Sequence, residues 1–364
     1  FRRVLFRSVS EARFSQNLNE LISQVSQTQQ IPLPSLEAGF LDAKTIPSIR
    51  KLVLPPSATF KKNWLVYRQR FIEPVRLKAG RAFWEQNQAF LSQTEQATGV
   101  PAELIVAIIG IETIYGRQTG TFRVKDVLST LAFSYPDTPN KTAREQLFKD
   151  QLKELILLCW TEAGGKLPSN NSSQGVNQSR LNACLNQNSS YAGAIGLPQF
   201  MPSSIRSFAV DGDGDGKIDL KQSPKDVIAS VGNFMKMHGW QSGMPISFPV
   251  QSNGIAAAKE LADGQPQLKY AVQELIEKGI LTKQGSNYRF LFSPPLRLSI
   301  QDTMVSAYTS KTMPVPATNS ACSGVWMYKR TPFEFQIDSM KRRDVFGTIQ
   351  FPVHYLLQRN KALR

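Results

Sequence analysis

The sequence has few of the residues that bind metals through nitrogen or sulfur. Its 364 residues include 3 cysteines and 2 histidines, widely separated along the chain. Such a set forms no zinc-binding pattern. Long apolar runs are also missing, because the longest one of note covers only residues 104–111, far too short to span a bilayer. These shortages argue against a zinc protein and against a transmembrane helix in this chain.

Acidic residues are scarce beside basic ones. The chain has 28 Asp and Glu against 43 Lys and Arg, for a formal net charge of +15. A surplus of this size favours an anionic partner, namely nucleic acid, anionic lipid or an acidic cell-wall polymer. The basic residues are scattered singly or in pairs, without a dense block or an RNA-binding aromatic motif. Charge alone therefore does not choose the partner.

The first eight residues have an unusual sequence. They read FRRVLFRS, which the end of a widely used sequencing adapter can encode. We interpret residues 1–8 as an adapter-derived artefact, the alternative being an ordinary basic N-terminus. On this interpretation the natural protein continues upstream, where we expect an export signal, with or without a cysteine for a lipid anchor.

Apolar residues recur at helical spacing through the first part of the chain, in residues 40–49, 63–91 and 101–158. Residues 161–188 are rich in Ser, Asn, Gln and Gly and predict a surface loop. Beyond residue 240, short β-like runs at 288–292 and 296–300 surround one helix at 271–278. We therefore expect a mainly helical protein with a smaller mixed or β domain towards the C-terminus.

Two cysteines, Cys159 and Cys184, bracket the polar loop. A bridge between them would close the loop and contribute about 3 kcal/mol to stability. Two free thiols are the alternative, and the redox compartment decides between them.

The segment PAELIVAIIGIETIYG, residues 101–116, predicts an apolar helix that ends on a carboxylate, Glu112. A carboxylate at the end of such a run is poorly solvated, so we expect its pKa to rise, as a general acid requires. The alternative is a buried glutamate paired with an arginine.

The segment SSYAGAIGLPQFMPSS, residues 189–204, combines tight Gly and Pro geometry with aromatic residues. Ser190 and Gln199 offer uncharged hydrogen-bonding groups that suit sugar hydroxyls and acetamido groups. The alternative is a loop that only packs.

The segment DGDGDGKIDLKQSPKD, residues 211–226, follows the pattern of a calcium-binding loop. The predicted ligands are the side chains of Asp211, Asp213 and Asp215 and the carbonyl of Lys217. Gln222 stands where the usual loop has a bidentate glutamate, and Asp226 could substitute for it. The alternative is a solvated acidic turn.

Together and in this order, the motifs resemble the membrane-bound lytic murein transglycosylase B family, cell-wall enzymes with a lysozyme-like core. The resemblance runs from about residue 64 to residue 240. It also includes YRQRFIEP (67–74), LSTLAFSYP (128–136) and NFMKMHGW (233–240). The fold that it implies is mainly α (α+β), with a lysozyme-like helical core, a helical N-terminal region, an EF-hand-like calcium loop and a smaller mixed/β domain.

The resemblance and the change of sequence pattern beyond residue 240 together suggest the domain limits. They are a helical N-terminal region at 9–97, a catalytic core at 98–240 with the calcium loop at 211–226, a mixed or β domain at 241–345 and a return to the core at 346–364. We expect this last part to be truncated, because the family closes with a longer helix.

The resemblance also assigns the site. Glu112 is expected to be the catalytic acid and base, and the residues expected to bind substrate are Tyr67, Ser190, Gln199, Phe200, Phe234 and Asn360. The expected calcium ligands are Asp211, Asp213, Asp215, Lys217 and Asp226. Calcium is the one cofactor implied, as a structural ion, and no organic cofactor is.

Two departures from the family pattern affect this site. Phe234 stands where the family often has a tyrosine, which removes a hydroxyl. Asp137 and Thr138 replace a pair of arginines, and the nearby Lys141 or Arg144 could supply the charge instead.

The implied activity is non-hydrolytic cleavage of the β-1,4 bond between N-acetylmuramic acid and N-acetylglucosamine, giving a 1,6-anhydro product. The partners expected are peptidoglycan glycan strands and no nucleic acid. We expect a monomer in the periplasm, with or without an anchor to the outer membrane. The alternatives are a hydrolytic muramidase on the same fold and a non-catalytic peptidoglycan-binding protein.

Overall fold

The structure is a computed structural model that describes residues 2–55, 69–167, 176–240, 242, 247–249, 254–261, 270–280, 295–301 and 304–309. The predictions for Tyr67, for Asn360 and for the β-like run at 288–292 concern residues outside these ranges.

The described part of the chain is mainly helical, as the sequence predicts. Its first helices are α1 (Arg2–Gln29), α2 (Leu33–Phe40), α3 (Pro47–Leu52), α4 (Pro74–Thr98), α5 (Ala102–Thr113) and α6 (Val124–Phe133). They are followed by α7 (Lys141–Glu162), α8 (Gln178–Leu185), α9 (Pro202–Phe208), α10 (Pro224–Met237), α11 (Ile255–Leu261) and α12 (Val272–Glu277).

The strands among the described residues form two small sheets. Strand β1 (Phe122–Arg123) pairs antiparallel with β2 (Asn188–Ser189), so that Phe122 lies opposite Ser189. The other strands are β3 (Ser247–Pro249), β4 (Tyr270–Ala271), β5 (Pro295–Gln301) and β6 (Met304–Thr309). They form an antiparallel sheet in the order β3-β6-β5-β4. The predicted strand at 296–300 and the predicted helix at 271–278 are thus confirmed by β5 and α12.

Helix α5 lies at the centre of the helical core. Its sequence is apolar all round, and residues 104–110 are all buried, as expected of a helix with no solvent-facing stripe. It packs against α4 and α10, while α6 packs along α7. The C-terminal end of α5, which carries Glu112, is therefore held from several sides.

The predicted helix at 40–49 is wrong, because α2 ends at Phe40 and α3 begins only at Pro47. Backbone N–H groups between them bond side chains of α6 instead: Lys44 N–H donates to Asp126 (3.1 Å) and Ile46 N–H to Thr130 (2.9 Å). The side chain of Asp42 pairs with Lys125 and Arg123. Tertiary hydrogen bonds thus replace the helical ones that the apolar spacing suggested.

The predicted loop at 161–188 is also partly wrong, because it contains helix α8. The Asn177 side chain accepts a hydrogen bond from Arg180 N–H (3.0 Å) and starts the helix. Leu181, Cys184 and Leu185 form its buried face. The sequence did not decide whether Cys159 and Cys184 are bridged. In the structure they form a disulfide with their Cα atoms 5.3 Å apart, which ties α8 to the end of α7.

Candidate active site and acidic loop

Glu112 lies in the last turn of α5 and is half-buried. The helix ends at Thr113, immediately after it, and the N–H of the next residue, Ile114, donates to the Gly110 carbonyl (3.0 Å). Because the preceding residues are buried and apolar, the carboxylate lies where a buried helix reaches solvent. This is the placement that a proton donor needs if it is to reach a bound substrate.

The backbone after Glu112 adopts an unusual conformation. Ile114 and Tyr115 have φ angles of 52° and 55°, in the left-handed region that side chains disfavour, at a cost of about 1–2 kcal/mol per residue. The Tyr115 ring packs 5.1 Å from the Phe83 ring of α4. It also lies so close to Gly110 that a Cβ there would overlap the Tyr115 hydroxyl. The surrounding packing therefore maintains a strained turn next to the carboxylate.

The buried side chain of Thr113 connects this turn to the loop at 189–201. Its hydroxyl donates to the Leu197 carbonyl (2.9 Å) and accepts from Gly116 N–H (3.0 Å). Thr113 was not among the residues predicted from the sequence to act in the site. The signal was available, since a threonine at the end of an apolar helix requires a hydrogen-bond partner when it is buried.

The loop at 189–201 is held by its own polar groups. The Ser190 hydroxyl accepts from Ala192 N–H (3.3 Å) and Ala194 N–H (3.1 Å). The side-chain amide of Gln199 donates to the carbonyls of Thr119 (3.1 Å) and Gly196 (3.0 Å). Both predicted substrate residues thus help to shape the loop. Their roles towards a glycan remain predictions.

Phe200 and Phe234 lie in an aromatic cluster. Their ring centroids are 5.2 Å apart, and Phe234 stacks on the His238 ring at 4.0 Å. Phe200 is 6% and Phe234 3% exposed, so little of either ring is open to solvent. Phe208 meets Phe234 edge-on at 5.1 Å and extends the cluster towards α9.

The loop at 189–201 also contacts the predicted calcium loop at 211–226, called the acidic loop below. Leu197 N–H donates to the Leu220 carbonyl (2.8 Å). Gly196, with a φ angle of 72°, lies against that same carbonyl, so a Cβ at this position would clash with it. Thr113, Leu197 and Leu220 therefore form a continuous path of hydrogen bonds from the end of α5 to the acidic loop.

Three of the five predicted calcium ligands converge in the acidic loop. Oxygen atoms of Asp211, Asp213 and Asp226 lie within 4.8 Å of one another. Asp226 is buried and accepts from Gly212 N–H (2.8 Å) and Asp219 N–H (2.6 Å), so it does fold back over the loop. Asp215 is not part of this group, and its carboxylate accepts from Lys217 N–H (2.8 Å).

The donor set fits a calcium ion. Three carboxylates are hard oxygen ligands of the kind that Ca²⁺ prefers, and a cation between them would offset their mutual repulsion. Asp211 accepts backbone hydrogen bonds, foremost from Gly216 N–H (2.8 Å), and these hold the pKa of its carboxyl below the ordinary value. These hydrogen bonds therefore favour the anionic form of Asp211.

Ser223 is a residue of this loop that the sequence analysis missed. Its hydroxyl donates to Asp213 (3.0 Å) and accepts from Asp226 N–H (3.2 Å), which starts α10. The signal is the Ser-Pro-x-Asp pattern of a helix N-terminus.

Lys141, which could supply the charge of the missing arginines, forms an ion pair with Asp137 (2.8 Å), so its charge is already matched.

The helical core, the carboxylate at the end of its central helix and the adjoining acidic loop define a lysozyme-like transglycosylase. The chain belongs to the transglycosylase SLT domain family, whose sequence profile matches residues 13–308. The family resemblance noted from the motifs is thereby confirmed. No helix among the described residues is both long and apolar enough to cross a membrane.

Particular relatives support this assignment. The chain is 34% identical over 277 residues to membrane-bound lytic murein transglycosylase B of Escherichia coli strain K12, covering 74% of this chain and 68% of that protein. It is similar in structure to the soluble lytic transglycosylase SltB1 of Pseudomonas aeruginosa, with a TM-score of 0.68, 28% identity and coverage of 95% and 98% of the two chains. The Escherichia coli lytic transglycosylase Slt35 in complex with calcium is similar with a TM-score of 0.64 and 25% identity, covering 97% of this chain and 93% of that one.

Proposed function

We propose that this protein is a lytic transglycosylase that cleaves peptidoglycan glycan strands between N-acetylmuramic acid and N-acetylglucosamine. The observation that carries the proposal is Glu112, a half-buried carboxylate at the end of an apolar helix, within a chain of the transglycosylase SLT domain family. The curated relative is named a lytic murein transglycosylase. The basic surplus of the chain suits a polymer whose lactyl groups and peptide stems carry carboxylates.

A single carboxylate can perform both proton transfers. Glu112 first donates its proton to the glycosidic oxygen as the bond to C1 breaks. The substrate's acetamido group stabilises the positive charge that develops at C1. Glu112, now a carboxylate, then removes the proton of the C6 hydroxyl, whose oxygen bonds to C1. The products are a 1,6-anhydro sugar and a free strand end, and no water is consumed.

The next acid along the chain after Glu112 has a structural role. Asp126 is buried, accepts from Arg123 Nε (2.7 Å) and Lys44 N–H (3.1 Å), and joins α6 to residues 41–46. Glycosidases that work by hydrolysis usually place two carboxylates across the scissile bond. The commitment of Asp126 to these bonds supports the route with one carboxylate.

The substrate cleft is proposed to be formed around Glu112 by Ser190, Gln199, Phe200 and Phe234, with Tyr67 and Asn360 contributing from elsewhere in the chain. The loop at 189–201 is joined to the end of α5 by the bond from Thr113 to Leu197. This bond supports a shared cleft, because it keeps the polar loop beside the acid.

Calcium is proposed to bind between Asp211, Asp213 and Asp226, with Asp215 and the Lys217 carbonyl completing the ligand set. Its role would be to stabilise the loop before α10. The convergence of three carboxylates and the calcium complex of Slt35 support this. The protein is proposed to act in the periplasm, at the outer membrane.

Mass spectrometry of murein digested by the purified protein tests the proposed activity. We expect anhydro-muropeptides from the wild type. Glu112→Gln should release none, because an isosteric amide cannot donate the proton. Glu103→Gln, at the other end of the same helix, is the matched control and should keep wild-type activity. Reducing ends would identify a hydrolytic muramidase, and the absence of products would identify a binding protein.

A further inference from the structure

Arg76, in the first turn of α4, is a charged side chain held between residues 70–71 and helix α5. The side chain is only 12% exposed. Its Nε donates to the Gly110 carbonyl of α5 (2.9 Å), and its Nη1 donates to the Arg70 carbonyl (2.7 Å). The guanidinium also lies 5.1 Å from the centre of the Phe71 ring. One side chain thus links residues 70–71 to the helix that carries Glu112.

Of the two carbonyls that Arg76 binds, that of Gly110 accepts the hydrogen bond that ends helix α5. The Gly110 oxygen also accepts from Ile114 N–H (3.0 Å), the bond that closes the left-handed turn after Glu112. The guanidinium supports this carbonyl from the side of α4. Gly110 and Ile114 are each two residues from Glu112 along the chain, so a shift of this carbonyl would move the carboxylate.

Tyr115 lies close to the same guanidinium. Burial raises the pKa of the Tyr115 hydroxyl, and the neighbouring Arg76 charge partly opposes that rise. The Tyr115 ring rests on Gly110 and on Phe83. Arg76, Gly110 and Tyr115 therefore form a contiguous cluster, and two of its members lie within three residues of Glu112 along the chain.

From this geometry we infer that Arg76 is a positioning residue for the transglycosylase reaction: it fixes the end of α5 and so holds Glu112 in place for both proton transfers. The inference rests on the proposed function of Glu112. Arg76 acts through the Gly110 carbonyl and is not assigned a contact with the glycan. Its planar fork suits the role, because two carbonyls on different segments are bound at once, which the single ammonium of a lysine cannot reproduce with the same geometry.

A role in positioning makes a specific kinetic prediction. Removing a group that orients the catalytic acid lowers the rate of the chemical step, and a misplacement of about 1 Å can cost about 100-fold. Affinity for the glycan should change little, because the binding contacts are made by other side chains. A residue that contacts the substrate in its ground state would instead raise KM with kcat unchanged.

The experiment compares kcat and KM for cleavage of soluble glycan strands by wild type, Arg76→Gln, Arg76→Lys and Arg81→Gln. Arg81 is an exposed arginine of the same helix and is the matched control. We expect kcat of Arg76→Gln to fall about 100-fold, with KM within about threefold of wild type. Arg76→Lys should recover part of the loss, and Arg81→Gln should match wild type. Circular dichroism and the thermal midpoint verify that each variant is folded at the assay temperature.

Each other result overturns the inference. A folded Arg76→Gln with wild-type kcat, or with KM raised and kcat unchanged, removes the positioning role. If Arg76→Gln does not fold, Arg76→Lys decides by the same criterion, and failure of both to fold would assign Arg76 to fold stability alone. An inactive wild type would instead refute the proposed function, and the positioning role with it. An active wild type beside an equally active Arg76→Gln refutes the positioning role only.

Discussion

At the scale of single residues, individual buried hydroxyl and amide groups connect the segments of the site. Thr113 binds the loop at 189–201 to α5. In the same way, the buried Gln151 of α7 donates to the Ser203 hydroxyl (2.9 Å) and accepts from Ser203 N–H (3.1 Å), which fixes the start of α9. Removing one partner of such a bond leaves the other buried without a partner, which costs more than the bond itself contributes.

Replacing Thr113 by valine should therefore destabilise the protein. Valine has the same shape and suits the helix, but the Leu197 carbonyl and Gly116 N–H would lose their partner. We expect the free energy of unfolding in urea to fall by about 1–3 kcal/mol. Thr161→Val is the control, because that exposed hydroxyl donates within its own helix, to the Leu157 carbonyl. An equal effect from both substitutions would show that the link from Thr113 to Leu197 adds nothing.

At the scale of elements, the sequence predicted helices where apolar spacing was regular and failed where distant side chains intervened. The apolar run of α5 is found as expected. Residues 41–46 are not helical, because their N–H groups bond Asp126 and Thr130, which lie more than eighty positions later in the chain. No local pattern contains that information. Helix α8 was missed because its few apolar residues are embedded in a polar segment.

The joint between residues 41–46 and α6 should depend on pH. The buried Lys125 ammonium donates to Asp42 (2.5 Å), and together with Arg123 it lowers the pKa of the Asp42 carboxyl from 3.8 to about 2. Because the pKa of the Asp42 carboxyl is lower in the folded protein than in the unfolded chain, the carboxylate adds stability at pH values above the unfolded-state pKa. This stability is lost as the pH falls from about 4 to about 2. Asp42 is 63% exposed, so solvent screening limits the contribution to about 1 kcal/mol.

Asp42→Asn should thus be less stable than wild type by about 1 kcal/mol near neutral pH, and the difference should shrink as the pH falls through that window. Urea unfolding at a series of pH values measures it. Glu37→Gln, an exposed carboxylate of α2, should show no such difference. If the difference in the free energy of unfolding between wild type and Asp42→Asn stays constant down to pH 2, the proposed effect of the Asp42 carboxyl on stability is wrong.

At the scale of the whole molecule, the site joins parts that are far apart in the sequence. Hydrogen bonds lead from Thr113 to Leu197, from Leu197 to Leu220, and from the neighbouring Asp219 N–H to Asp226. The motifs revealed the separate parts, and Asp226 was anticipated as a substitute for the missing glutamate at Gln222. The contacts between the parts were not predicted, nor were Arg76 and Ser223, because they depend on how the segments pack.

Calcium should stabilise this assembly, because three carboxylates converge before α10. An ion that binds only the folded state adds about 2.7 kcal/mol at a concentration 100 times its Kd. The thermal midpoint should therefore be higher with calcium than with a chelator. Asp213→Asn removes one of the three charges from an exposed position and should reduce that difference. Asp226 is less suitable for this test, since it also binds two backbone N–H groups.

The control for the calcium effect is Asp137→Asn, which replaces an exposed carboxylate outside the loop. Its thermal midpoint should differ between calcium and chelator by as much as that of the wild type. Calorimetric titration of the chelated protein with calcium provides a second readout that does not depend on activity. We expect one ion to bind to wild type and binding to weaken in Asp213→Asn. The same thermal midpoint with calcium and with chelator, together with no heat of binding, would show that the acidic loop holds its shape through the bonds from Ser223 and the backbone alone.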